Sequence, residues 1–257
     1  MCGDENKVVS STISVCVDCI RSKPDQCLPI VFEAHKEARG RFGLPDKPSR
    51  SERGIPCTVC SNRCILGDGE VGYCGLRVNI GGRLKGLTSP KMGLFYYYLD
   101  PHVTNCCSAW CCPAGTGAGY PQYAVRDGAE LGYYNLAIFF YGCNFDCLFC
   151  QNHSHKSFGS IKPESAETLI KATLSNRRIT CWCFFGGSPE PQLPFALEAS
   201  QKVLEAVGNR VLRICFEWNG CGNPLLVKRA AALAYRSGGN LKFDLKCWSK
   251  ELSEALC

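Results

Sequence analysis

No apolar run in this sequence is long enough to cross a bilayer; the longest, Leu136–Tyr141, falls far short of the ~20 residues a spanning helix needs. The net charge is +6, yet no dense Lys/Arg block carries it, so a nucleic-acid partner is not indicated. The first stretch, MCGDENKVVSSTISVCVDC, lacks the basic segment followed by an apolar one that marks a secretory leader. Neither a repeat of fixed period nor a low-complexity tract is present, which excludes solenoids and arrays. A cytoplasmic protein with no membrane association and reduced thiols is the expectation.

What is abundant is cysteine: 21 in 257 residues. An odd count in a long chain of this kind argues against a disulfide framework. Thiols at short spacings in a reducing compartment are more often metal ligands. Hydrophobic residues make up 46% of the chain, enough for one large domain or two modest ones.

Three zones follow from composition. Residues 1–56 are polar, contain Cys16, Cys19 and Cys27, hold a helix-like run around Pro29–Arg39, and end in a Pro-rich connector. Residues 57–132 are rich in Gly and Cys with little helical period, so metal ligation rather than apolar burial is expected to organise them. Residues 133–257 alternate between strand and helix patterns. Strands are expected at Asn135–Tyr141, Ile179–Phe185, Val211–Glu217 and Leu241–Leu245. Helices are expected at Pro163–Leu174, Leu193–Val207 and Pro224–Arg236, each with Pro in its first turn. Such βα units imply a parallel sheet or partial (β/α) barrel. The chain stops soon after the fourth strand, early for a barrel, so a barrel truncated there is expected.

The first strand runs into YGCNFDCLFCQN, which spaces Cys143, Cys147 and Cys150 as C-x3-C-x2-C. Three thiolates on one tight loop can hold three irons of a [4Fe–4S] cube and leave the fourth iron open for a ligand. Zinc, by contrast, usually takes four protein ligands. The triplet, with the aromatic Phe149 before its third Cys, resembles the signature of the radical S-adenosylmethionine (SAM) superfamily. The local stretch is most similar to its activating-enzyme branch, which includes pyruvate formate-lyase activating enzyme. The resemblance implies a radical SAM fold and an oxygen-sensitive cluster on Cys143, Cys147 and Cys150. It also implies reductive cleavage of SAM to a 5′-deoxyadenosyl radical, which abstracts hydrogen from a protein, as in glycyl-radical activation, or from a small molecule or peptide. A ferredoxin- or flavodoxin-type reductant is implied as partner.

Three further motifs carry the resemblance, each at a strand end. Gly186, Gly187 and Ser188 stand where the family has a GGE motif that binds the SAM amino group. Ser188 replaces the acid, and Glu190 comes two residues later. Glu217 in EWNG matches an acid that helps build a SAM and monovalent-cation site. Asp244 and Lys246 in KFDLK match a pair that lies in the SAM pocket. The resemblance covers about residues 133–257. A non-catalytic iron–sulfur electron carrier or a zinc-binding interaction module would use the cysteines but has no need of these motifs.

The remaining cysteines form lesser groups. Cys57, Cys60, Cys64 and Cys74, interleaved with glycines, suit zinc or an auxiliary [4Fe–4S] cluster. In NCCSAWCCP, adjacent thiols cannot readily aim at one ion, so at most one of each pair, such as Cys106 and Cys112, is a ligand candidate. Cys16 and Cys19 form an incomplete motif, and either group could complete the other. Cys181 and Cys183 share one face of a strand and read as small buried hydrophobes. His153 and His155, just past the triplet, read as surface or supporting groups.

Overall fold

The computed structural model describes residues 2–4, 6–103 and 106–257. Helices α1 (Val17–Ser22) and α2 (Pro24–Gly40) come first. Short strands follow: β1 (Ile55–Pro56), β2 (Ile65–Leu66), β3 (Arg77–Ile80), β4 (Arg83–Gly86) and β5 (Met92–Gly93). Next come β6 (Phe95–Pro101), α3 (Pro113–Thr116), β7 (Tyr134–Phe140), β8 (Glu164–Ser165), α4 (Ala166–Ser175) and β9 (Ile179–Gly186). The chain continues through α5 (Leu193–Val207), β10 (Arg213–Trp218), α6 (Pro224–Ser237), β11 (Leu241–Phe243) and α7 (Lys250–Leu256). Among the described residues no helix is long and apolar enough to cross a membrane.

The principal sheet has the order β11-β10-β9-β7-β6. Strands β7, β9, β10 and β11 are parallel, as βα units require. Strand β6 adds antiparallel to β7, pairing Phe95 with Phe140 through to Pro101 with Tyr134. This fifth strand comes from the Cys-rich zone and is not expected from the sequence. Its aromatics Tyr96, Tyr97 and Tyr98 are partly exposed at the sheet edge. No sheet closes on itself among the described residues; β6 and β11 remain edges.

Strand periodicity gives the sheet two different faces. Leu136, Ile138 and Phe140 on β7, Trp182 and Phe184 on β9, and Ile214, Phe216 and Trp218 on β10 pack against α4, α5 and α6 in one core. Their rings stack along the sheet: Phe140–Phe184 at 5.5 Å, Phe184–Phe216 at 5.2 Å and Phe216–Trp218 at 5.2 Å. Each such buried side chain contributes about 1.5–3 kcal/mol. The alternate residues, including Asn135, Cys181, Cys183, Arg213, Cys215 and Glu217, face the other way and make that face polar.

Helix α2 is longer than the sequence suggests, since Pro29 lies inside it. Helices α1, α2 and α7 pack together around Cys16, Cys19, Ile20, Cys27, Val31 and Ala255, and Leu148 of the loop after β7 joins them. These helices therefore back the outer side of that loop.

Candidate active site

The parallel strands end on one side of the sheet, where loops converge. The loop after β7 turns at Gly142, whose φ of +79° a side chain would strain. A Cβ there would also stand 3.1 Å from Cys74 O. Beyond the turn come Cys143, Cys147 and Cys150. The Phe145 amide donates to Cys143 Sγ at 3.3 Å, and the Cys150 amide to Cys147 O at 3.0 Å. The loop is tied to the C-terminal helix by Asp146 N donating to Cys257 O at 2.7 Å and Leu148 N to Leu256 O at 2.9 Å.

Asp146 anchors the loop from beneath. Its carboxylate is buried, and it meets His35 Nδ1 at 2.8 Å, Arg39 NH1 at 3.4 Å and Lys156 Nζ. Burial pushes this carboxyl up, but the His35 and Lys156 hydrogen bonds and the charges of Lys156 and Arg39 prevail and hold it low. His35 also touches Ala255 O at 3.0 Å through Nε2, so one acid joins α2, the thiol loop and α7.

A cavity of about 320 Å³ opens above the loop. Every residue that the sequence motifs single out for the cluster and SAM lines it: Cys143, Cys147, Phe149, Cys150, Gly186, Gly187, Ser188, Glu217, Asp244 and Lys246. They arrive from the ends of four strands, β7, β9, β10 and β11. The two glycines have a packing reason. A Cβ at Gly187 would stand 2.2 Å from Gly142 O, and one at Gly186 would stand 2.7 Å from Phe140 N. The Gly187 amide donates to Phe140 O at 2.9 Å, and Ser188 N to Gly142 O at 3.2 Å. Glycine thus lets the β9 loop lie against the thiol loop.

The charged groups are unevenly placed. Lys246 pairs with Asp244. Glu217 is about half exposed, and its carboxylate meets the buried Lys242 at 3.0 Å, so a protein cation already occupies it. Burial raises the Cys143 and Cys150 thiols, whereas a hydrogen bond with Cys257 lowers Cys147. Cys143, Cys147 and Cys150 line one cavity, a donor set that suits a cube with one open iron, although their ligand atoms do not gather within 4.8 Å and the Cys257 thiol contacts Cys147. Ligation there requires the raised thiols to release their protons.

Two further residues tie the strand-end loops together. Asn219 Nδ2 donates to Asn144 Oδ1 at 2.8 Å and to Ser188 Oγ at 3.1 Å, linking the β7, β9 and β10 loops. Glu190 is fully buried and accepts from Gly220 N at 2.6 Å; burial raises its pKa. The acid that follows the Gly-Gly-Ser turn therefore braces the β10 loop rather than lining the cavity. His155 is 3% exposed, lines the cavity and packs against Gly187, and burial pulls it down to about 4. His153 stays exposed.

The four-cysteine segment docks beside this site. The β1–β2 ribbon brings Cys57 N to Cys64 O at 2.7 Å. Ser61 N donates to Cys221 O at 2.9 Å, and Asn62 Nδ2 to Asn144 O at 2.8 Å. Burial, then the charges of Cys74, Cys57 and Cys64, push Cys60 up to about 12.

Cys106 and Cys112 lie elsewhere, in a cavity of about 30 Å³ on the polar sheet face. Cys107 and Cys111 point to solvent. A hydrogen bond with Cys112, aided by Lys242, pulls Cys106 down to about 5. Cys181 and Cys183 are buried as expected but have polar partners: Arg213 Nε lies 3.1 Å from Cys181 Sγ, and Lys242 Nζ 3.2 Å from Cys183 Sγ. Cys16 borders a different depression, and Cys16 and Cys19 gather with Cys2 rather than with Cys106 or Cys112. Among the described residues, one trio of ligand atoms gathers within 4.8 Å: Cys16 and Cys19 with Cys2, which has no motif.

Comparison with known proteins gives one family. No curated protein matches the chain, and no solved structure does. Residues 137–254, from within β7 into α7, match the family described as the Radical SAM superfamily, whose members are enzymes that use a [4Fe–4S] cluster and SAM. The residues that line the cavity at the strand ends fall within this matched segment, and the general chemistry of the matching family is SAM cleavage by an iron–sulfur cluster.

Proposed function

We propose that this protein is a SAM-cleaving enzyme of the activating-enzyme type, with Cys143, Cys147 and Cys150 holding the [4Fe–4S] cluster. The observation that carries this reading is the shared cavity: ten motif residues from four strand ends line one space of about 320 Å³. When bound, the cluster supplies the electron that breaks a sulfonium C–S bond of SAM. The chain's own part is binding and positioning. The Gly186–Ser188 backbone and the Asp244–Lys246 pair are the groups that face a ligand carrying an amine, a carboxylate and a sulfonium; Glu217 would have to exchange or share its contact with Lys242 to join them. Phe149 and Trp218 give the cavity apolar walls that shed water. A non-catalytic electron carrier has no use for such a pocket.

The reading extends to hydrogen abstraction from a protein glycine, supported by the similarity of YGCNFDCLFCQN to the activating-enzyme branch, with a ferredoxin- or flavodoxin-type protein as reductant. Cys57, Cys60, Cys64 and Cys74 hold an auxiliary metal, a [4Fe–4S] cluster ahead of zinc, and the contacts of Ser61 to Cys221 and of Asn62 to Asn144, within the same segment, let that metal stiffen the active-site loops.

The test is anaerobic reconstitution with iron and sulfide, followed by SAM and dithionite. 5′-Deoxyadenosine is expected, and Cys147→Ala abolishes it. A loaded cluster that yields none defeats the enzymatic reading. Deuterium transfer into 5′-deoxyadenosine from a labelled protein, but not from labelled small molecules or peptides, supports the glycyl assignment; the reverse result removes it.

A further inference from the structure

We propose that Cys2, Cys16 and Cys19 form a separate thiolate site for a single soft metal ion, Zn²⁺, which clips the N-terminal segment onto the helices behind the active-site loop. The three sulfurs lie within 4.8 Å of one another. Cys2 Sγ and Cys16 Sγ are 3.7 Å apart, and Cys19 contacts both. Zinc–sulfur bonds of ~2.3 Å at the tetrahedral angle put two ligand sulfurs about 3.8 Å apart. The spacing therefore suits one ion. It is too tight for a cube, whose thiolates sit on different irons.

Core packing explains only part of this group. Cys16 and Cys19 are 7% and 3% exposed and belong to the cluster formed by α1, α2 and α7. Cys2 is exposed and lies in a segment without helix or strand, yet its sulfur turns onto the buried pair. A shared ion gives that arrangement a cause. The exposed side leaves a fourth position for water or another ligand and a path of entry. Three thiolates on Zn²⁺ carry a net charge of −1; Lys7, near Cys16, is itself paired with Asp18 at 2.6 Å. Binding displaces one proton from each protonated thiol and changes no oxidation state.

The site also has a structural consequence. Leu148, between Cys147 and Cys150, packs into the cluster that contains Cys16 and Cys19. An ion joining residue 2 to residues 16 and 19 closes the intervening loop and stiffens this wall.

The test uses the whole protein, purified anaerobically and equilibrated with Zn²⁺ at controlled free concentration. Metal content is read by mass spectrometry. Cys2→Ser is the key variant, because an exposed residue in an irregular segment is not needed for folding. It is expected to lose one zinc equivalent relative to the parent and to speed amide exchange across residues 2–16, with iron at the Cys143–Cys147–Cys150 loop unchanged. Cys16→Ser and Cys19→Ser should each lose the same equivalent. The Cys60→Ser variant should keep it. Unchanged zinc in Cys2→Ser overturns the proposal, and so does recovery of a Cys2–Cys16 disulfide from the anaerobic protein. Neither outcome depends on SAM cleavage.

Discussion

Replacing Asp146 by Asn should destabilise the protein more than any other isosteric change near the thiol loop. The carboxylate is fully buried, and its partners Arg39, His35 and Lys156 are 1%, 6% and 7% exposed. The amide keeps the shape but removes the charge, so two buried cations lose their counter-ion. Removing one partner of a buried ion pair costs about 3–5 kcal/mol. At ~2–4 °C per kcal/mol for a chain of this size, Tm should fall by about 6–20 °C. Urea unfolding of the metal-free protein gives the same quantity directly. Lys156→Met provides the second leg: the double variant should be less destabilised than the sum of the singles, because the buried ammonium is removed along with the acid. Iron loading should fall as well, since Asp146 fixes the loop between Cys143 and Cys147. A loss below about 1 kcal/mol, the size typical of an exposed pair, would mean that water reaches the site, and the anchoring argument would fail.

Other expectations follow from neighbouring contacts. His155 has its pKa lowered to about 4 by burial, so the unfolded chain binds its proton first as the pH drops. Stability should decline from about pH 6.5 down to 4 by about 3 kcal/mol, and urea titrations should show that slope removed in His155→Gln. His102 behaves oppositely: contacts with Cys181 and Glu130 outweigh burial and raise it to about 9, so its contribution should fade between pH 6.5 and 9. Gly187→Ala drives a Cβ to 2.2 Å from Gly142 O, which should cost about 1–3 kcal/mol and lower iron content in the reconstituted protein. Glu130→Gln breaks the buried pair with Arg213, 2.6 Å long and set at the strand starts away from the cavity. It should cost about 3–5 kcal/mol by thermal melt, with SAM cleavage per folded molecule unchanged.

The parallel strands and their helices were legible because each carries its own period and its own Pro or Gly punctuation. The strand-end motifs were legible because cofactor chemistry restricts residue types at fixed spacings. Contacts between segments far apart in sequence were not. Strand β6 has no regular apolar alternation of its own, and only pairing with β7 makes it an edge strand. His155 is ordinary in sequence and becomes a buried neutral wall only when Gly187 packs on it. Glu190 turns out to brace a loop because burial and the Gly220 amide hold it there.

The sequence by itself determined the alternating architecture, the thiol triplet and the order of the pocket motifs, since these are local patterns. Tertiary structure decided which groups meet. It joined ten motif residues in one cavity, set Asp146 among cations from two other segments, paired Glu217 with Lys242, and turned Cys2 onto Cys16 and Cys19. Hydrogen bonds, ion pairs and thiol–thiol approaches act over a few ångströms, and only the folded chain brings partners from positions as distant as 35 and 146 within that range.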